Sequence, residues 1–156
     1  MFLFSPEVDV ISVQSDDFDV AAEYAALTDG DVAAGAVVLF VGRVREMGLS
    51  SQVTGLTLEH YPGMTEKALN EIVNEAKARW EIIRCRIIHR IGTLTLGDQI
   101  VLVGVTSPHR EQAFLAAEFL MDYLKTQAPF WKKESTREGH HWVIAKETDA
   151  QAAKRW

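Results

Sequence analysis

Cysteine is nearly missing from this chain: Cys85 is the only one among 156 residues. A single thiol excludes an internal disulfide and a cysteine-built zinc site, and it suits a reducing compartment. No apolar run approaches the roughly 20 residues that a membrane-crossing helix needs. The opening MFLF is apolar but too short for a secretory signal, has no basic residue before it, and runs into acidic Glu7 and Asp9. These absences predict a cytoplasmic protein. Positive charge is also in deficit, with 16 Lys and Arg against 22 Asp and Glu and a net charge of −6. That balance disfavours general binding to nucleic acid or to an anionic membrane. There is no glycine-rich phosphate loop, no Ser-His-Asp arrangement and no metal-ligand spacing, so neither a metal nor a cofactor is expected. His140 and His141 are adjacent and would diverge on a strand. No repeat, low-complexity tract or linker interrupts the chain, and one domain over residues 1–156 is expected.

What is present is periodic. Val8, Val10 and Val13 suggest an edge strand, and Phe18 to Leu27 a short helix capped by Ser15 or Asp16. Asp29-Gly30-Asp31 is turn chemistry. Gly35 to Val41 is a valine-rich apolar run that reads as a strand buried on both faces. Val53 to Tyr61 alternates as a half-buried strand, and Tyr61-Pro62-Gly63 turns the chain. Thr65 then caps a helix reaching about Trp80, with the stripe Ala68, Leu69, Ile72, Val73, Ala76 and Trp80. Ile82 to Ile91 alternates again. Cys85 falls on its apolar face as a core residue, and His89 shares that row as a buried or interface histidine. Gln99 to Thr106 is an apolar strand. Ser107-Pro108 opens a third helix, whose stripe is Ala113, Ala116, Ala117, Leu120 and Leu124, widened by Phe114 and Met121. A polar loop surrounds Gly139, Trp142 to Lys146 make a last strand, and Lys154-Arg155-Trp156 either docks or frays. Strands and helices mix without regular βαβ alternation, which predicts an α+β fold with a mixed or largely antiparallel sheet.

Three clusters of charge stand out. MDYLKTQAPFWKKE (121–134) ends a helix near Lys125, breaks it at Ala128-Pro129, and sets Phe130 and Trp131 before Lys132, Lys133 and Glu134. Either this is a solvated helix end followed by a basic loop, or the turn brings Lys125 and Lys132 into one pocket from two directions. Arg43 and Arg45 close a strand before a small polar loop over 48–52, expected to be mobile. They read as a two-pronged anion site or as ordinary surface charge. His109 and Arg110 sit in the first turn of a helix, where free N–H groups and the helix dipole favour a phosphate or carboxylate. His60 more simply packs or hydrogen-bonds locally.

MDYLKTQAPFWKKE closely resembles the signature segment of the large, catalytic subunit of molybdopterin synthase. FVGRVR (40–45), LEHYPGMTEKAL (58–69), VGVTSPHR (103–110) and the closing QAAKRW (151–156) also match that family, in order, from about Gly35 to Trp156. The resemblance implies an α/β hammerhead fold with an additional small β subdomain, and a homodimer of large subunits. It implies a small ubiquitin-like partner whose carboxy-terminal Gly-Gly thiocarboxylate inserts into the large subunit of a heterotetramer. The implied reaction moves two sulfurs onto cyclic pyranopterin monophosphate to form the dithiolene of molybdopterin. By the same resemblance Lys125 and Lys132 are the catalytic pair. Arg43, Val44, Arg45, His109, Arg110, Lys133 and Glu134 join them at the substrate, and Glu134 is a candidate to orient Lys132. Lys146 departs from the pattern by standing where an arginine is expected, which leaves its phosphate role open. Two other classes compete with sulfur transfer: a non-catalytic scaffold for a ubiquitin-like partner, and an unrelated binder of phosphorylated metabolites.

Overall fold

The computed structural model describes residues 10–46, 53–136, 139–143 and 147–156. Val8, the loop over 48–52 and Lys146 lie outside them. In chain order the elements are β1 (Ile11–Gln14), α1 (Val20–Thr28), β2 (Ala36–Arg43), β3 (Val53–His60), α2 (Met64–Arg79) and β4 (Arg84–Arg90). Then follow β5 (Gly92–Thr95), β6 (Gln99–Ser107), α3 (Arg110–Gln127), β7 (Phe130–Thr136), β8 (Gly139–Val143) and α4 (Glu147–Ala153). They form two four-stranded sheets, ordered β1-β4-β6-β2 and β5-β3-β7-β8. Only β1 pairs in parallel, with β4; every other described pair is antiparallel. The expected α+β class holds: the first sheet is mixed, and the described pairs of the second are all antiparallel.

The main core lies between the first sheet and helices α2 and α3. Leu69, Ile72, Val73 and Ala76 of α2 meet Ala113, Ala116, Leu120 and Leu124 of α3 and the inward row Cys85, Ile87, Val103 and Val105 of the sheet. Phe119 is fully buried there, edge-on to Trp80 and Trp156, and its burial contributes about 1.5–3 kcal/mol. Phe114, expected in the stripe, is instead 61% exposed. Trp156 docks rather than frays: its indole N–H donates to Asp122 Oδ2 at 2.6 Å, and its carbonyl accepts from Arg79 at 2.8 Å.

The arginines of β4 face away from that core and hold α1. Arg84 donates to the carbonyls of Ala26, Leu27 and Asp29 at the end of α1, and Arg86 pairs with Glu23 at 3.1 Å. These bonds satisfy carbonyls that a helix end leaves open. Gly104 lets α1 lie close, because a Cβ there would meet Leu27 Cδ1 at 2.6 Å.

Several boundaries differ from the sequence reading for identifiable reasons. The strand buried on both faces is β6, between β4 and β2, whereas β2 is a sheet edge with Phe40 42% exposed. Asp19, not Ser15 or Asp16, caps α1 by accepting from Ala21 and Ala22. The apolar alternation over 82–91 breaks at Gly92, whose φ of +86° passes the chain into the second sheet as β5. Helix α2 starts at Met64 after Gly63, and Glu66 reaches back to the Gly63 N–H at 2.7 Å, so Thr65 is inside the first turn. At α3 the N-cap position is His109; Ser107 Oγ accepts the His109 N–H at 3.4 Å, two residues outside the cap. The polar stretch around Gly139 is part of a strand, because β8 begins there and pairs with β7.

Candidate functional site

A cavity of about 300 Å³ opens where the second sheet meets the carboxy-terminal end of α3. Its apolar wall comes from Leu56 and Leu58 of β3, Ile100 and Val101 of β6, and Met121 and Leu124 of α3. Among the described residues, its charged groups are Arg43, Lys125, Lys132 and Asp149. Three cations against one carboxylate suit an anionic ligand in a partly desolvated setting.

The lysines converge because of the joint between them. Ala128 takes an extended conformation (φ −81°, ψ 129°) before Pro129, which ends α3. Strand β7 begins at once and pairs antiparallel with β3, placing Lys132 opposite Leu58 and Glu134 opposite Leu56. Alternation then turns Phe130 and Lys132 into the cavity, while Trp131 and Lys133 face outward. Trp131 packs edge-on to Tyr61 at 4.2 Å, and Lys133 Nζ lies 5.4 Å from the Trp142 ring centre. Glu134 is buried, on the Lys132 side of the strand and about 7 Å along it. Lys125, in the last turn of α3, also sits favourably against the helix dipole.

Arg43 marks the cavity mouth. The ladder slips between Gly42 and Arg43, and the Arg43 Nε donates to the Gly97 carbonyl at 3.2 Å. Val44 is 4% exposed in a small cluster with Leu56, Leu58 and Leu94. Its N–H donates to Asp98 O at 2.8 Å and its carbonyl accepts from Gly97 at 2.7 Å, so side chain and backbone are both engaged. Arg45 is exposed and does not line the cavity. His109 and Arg110, also exposed, stand at the opposite end of α3. Fifteen residues separate Arg110 from Lys125, which is about 22 Å along a helix. One chain therefore brings Arg43, Lys125 and Lys132 together and leaves His109 and Arg110 far away.

Two cavity groups were not singled out as site residues from the sequence. Asp149 arrives from α4, with no motif to mark it. His89 was placed among core residues by its apolar row, yet its ring lines the cavity and stacks on Phe130, with centres 3.8 Å apart and planes 18° apart. His89 Nδ1 lies 2.8 Å from the Arg90 carbonyl, so that nitrogen carries the hydrogen and donates. Burial lowers the imidazole pKa from 6.5 to about 4, with the charges of Lys125 and His60 acting in the same direction against the Arg90 hydrogen bond. The ring is neutral at physiological pH. Its Phe130 neighbour, flanked by the two lysines in sequence, was the available signal.

Cys85 plays no part in the cavity. It is 1% exposed on the core face, and burial pushes its thiol up to about 12. A thiol held protonated and inaccessible is no nucleophile. Among the described residues, no three His, Cys, Asp or Glu side chains cluster as metal ligands do, and no helix is long and apolar enough to cross a membrane.

The family model described as MoaE protein matches residues 13–127. The Molybdopterin synthase catalytic subunit of Vibrio cholerae is 61% identical over 146 residues, covering 94% of this chain and 97% of that one. The solved structure of the Molybdopterin biosynthesis MoaE protein from Burkholderia ambifaria MC40-6 is similar with a TM-score of 0.81 at 51% identity, covering 96% of this chain and 98% of that chain. A protein–protein complex of subunit 1 and 2 of Molybdopterin-converting factor from Helicobacter pylori 26695 shares the fold, with a TM-score of 0.71 at 21% identity, covering 88% and 90% of the two chains.

Proposed function

From the premise that the chain belongs to the MoaE protein family, we propose that it is the catalytic subunit of a cytoplasmic molybdopterin synthase. It acts as one domain spanning residues 1–156. Its substrate is cyclic pyranopterin monophosphate, and its sulfur donor is the thiocarboxylated Gly-Gly terminus of a small ubiquitin-like subunit. The two-subunit Helicobacter pylori complex of the same fold supports such a partner. So does the state of Cys85: this chain has one thiol, buried and protonated, so the sulfur must be brought to it.

The observation that carries the reading is the convergence of Lys125 and Lys132 on one cavity with Arg43 at its mouth. A thiocarboxylate tail is an anion and needs cations beside it. Opening the cyclic phosphate and expelling oxygen need proton transfer, which a positioned lysine supplies. Lys125 and Lys132 are the catalytic pair in this reading. Glu134, buried on the Lys132 face, helps hold that lysine, and Lys133 acts from the outer face of β7. Val44 contributes by fixing the Arg43–Arg45 corner.

His109 and Arg110 enter the substrate site from a second copy of the chain. Their distance of about 22 Å from Lys125 within one chain rules out a shared phosphate there, and a homodimer supplies the same residues from the other side. The test is molybdopterin formation from cyclic pyranopterin monophosphate and thiocarboxylated small subunit. Wild-type protein should turn over, Lys125→Ala should not, and circular dichroism should be the same for both. Full turnover by Lys125→Ala would overturn the reading.

A further inference from the structure

The angle between Lys125 and Lys132 depends on a joint that cannot hold itself. Pro129 has no N–H, and Ala128 is outside the helical ladder. The Phe130 N–H folds back on the Ala128 carbonyl at 2.9 Å, a contact wholly within the joint. The β3–β7 ladder reaches back to the pair His60–Phe130, and a side-chain hydrogen bond and a ring stack tie the joint further to the rest of the molecule. The Thr65 hydroxyl donates to the Pro129 carbonyl at 3.0 Å, across 64 residues of sequence. The same oxygen accepts the Tyr61 N–H at 3.2 Å. From the opposite side, Phe130 rests on the His89 ring.

Thr65 is fully buried and does not line the cavity. Packing alone would favour valine, which has the same shape and no polar atom to desolvate. The hydroxyl is therefore explained by its two bonds, and the donated one ends on the residue midway between the lysines. We propose that Thr65 is a positioning residue for sulfur transfer: by holding the Pro129 carbonyl it sets how Lys132 meets Lys125. This rests on the reading above that these lysines perform the chemistry.

Displacing a reacting group by about 1 Å can cost about a hundredfold in rate while leaving binding of the rest of the substrate alone. The experiment compares steady-state kinetics of the full chain with thiocarboxylated small subunit and cyclic pyranopterin monophosphate for Thr65→Val, Thr65→Ser, Lys125→Ala and Lys132→Ala. Thr65→Val should lower kcat about ten- to hundredfold with KM within about twofold, and Thr65→Ser should recover kcat to within about threefold of wild type. A threonine that merely fills space would give the reverse order, because valine preserves the shape and serine does not. Wild-type kcat in Thr65→Val, with both lysine variants inactive, would overturn the role of Thr65 alone. Wild-type kcat in both lysine variants would overturn the reading beneath it. Should Thr65→Val not fold, Thr65→Cys decides, because a thiol is a weak donor. Its kcat should fall at least about fivefold below that of Thr65→Ser, and equal turnover of the two would overturn the proposal.

Discussion

The two ends of α3 carry the same kind of chemistry in different settings. At the carboxy-terminal end Lys125 meets Lys132 and Arg43 around a cavity with an apolar wall. At the amino-terminal end His109 and Arg110 are exposed and line no part of that cavity. Local geometry brings the two lysines of the first cluster together: a proline ends the helix, and the next strand turns the second lysine back. Among the described residues, the second cluster shares no cavity with Lys125 or Lys132. In the reading proposed above, a cluster of cations is half a site, and helix length decides which half a single chain contains. In that reading chemistry and binding are separate, one end serving proton transfer and the other anion recognition.

The largest effect should come from the carboxy-terminal end. Lys125→Ala and Lys132→Ala should each lower kcat by about 10²- to 10⁴-fold, the usual span for a positioned acid or base, with unchanged circular dichroism. At the amino-terminal end Arg110→Ala should raise KM for the cyclic phosphate about ten- to hundredfold, because one charge-assisted contact is worth about 1.5–3 kcal/mol. Its effect on kcat should be smaller than that of either lysine variant. A pure kcat defect with KM unmoved would remove Arg110 from the phosphate. The two ends can also be tested against each other by mixing Lys125→Ala and Arg110→Ala chains after dissociation. At cyclic phosphate concentrations far below the KM of Arg110→Ala, if each site draws one end from each copy, mixed dimers hold one intact site, and about a quarter of all sites recover. If one chain supplies both ends, mixing restores nothing.

The same contrast governs what the sequence made legible. The stripes of α2 and α3 and the alternation of β4 were readable because burial on one face imposes a period. The convergence of Lys125 and Lys132 was readable as an alternative, because Pro129 allows no helix to continue. The separation of His109 from Lys125 was also implicit in the length of α3, but only once they are asked to share one ligand. What could not be read depends on contacts distant in sequence. The double burial of β6 rather than β2 follows from sheet order, which no local pattern states. Asp19 caps α1 while Asp17 accepts from Gln99, 82 residues away. Thr65 looked like a helix cap because its neighbours fit one, and its actual partner is Pro129. His89 looked like core because core and cavity floor share one face of β4.

The smallest effect concerns that histidine and reads the cavity through stability instead of turnover. His89 has a folded pKa of about 4 against an ordinary 6.5. A lowered pKa means the unfolded chain takes the proton first as pH falls. The neutral ring's contribution is thus complete above about pH 6.5 and is lost progressively down to about pH 4. The full difference corresponds to on the order of 3 kcal/mol. The charged groups around the ring are Lys125 and His60, which oppose its protonation, with Arg43, Lys132 and Asp149 also on the cavity wall. His89→Phe keeps an aromatic ring against Phe130 and removes the titration. Urea unfolding at pH 7 and at pH 4.5 should show wild type losing about 2–3 kcal/mol more than His89→Phe across that interval. Losses equal in the two proteins would mean that His89 is not the buried neutral group at the cavity floor, and that the acid sensitivity comes from carboxylates elsewhere.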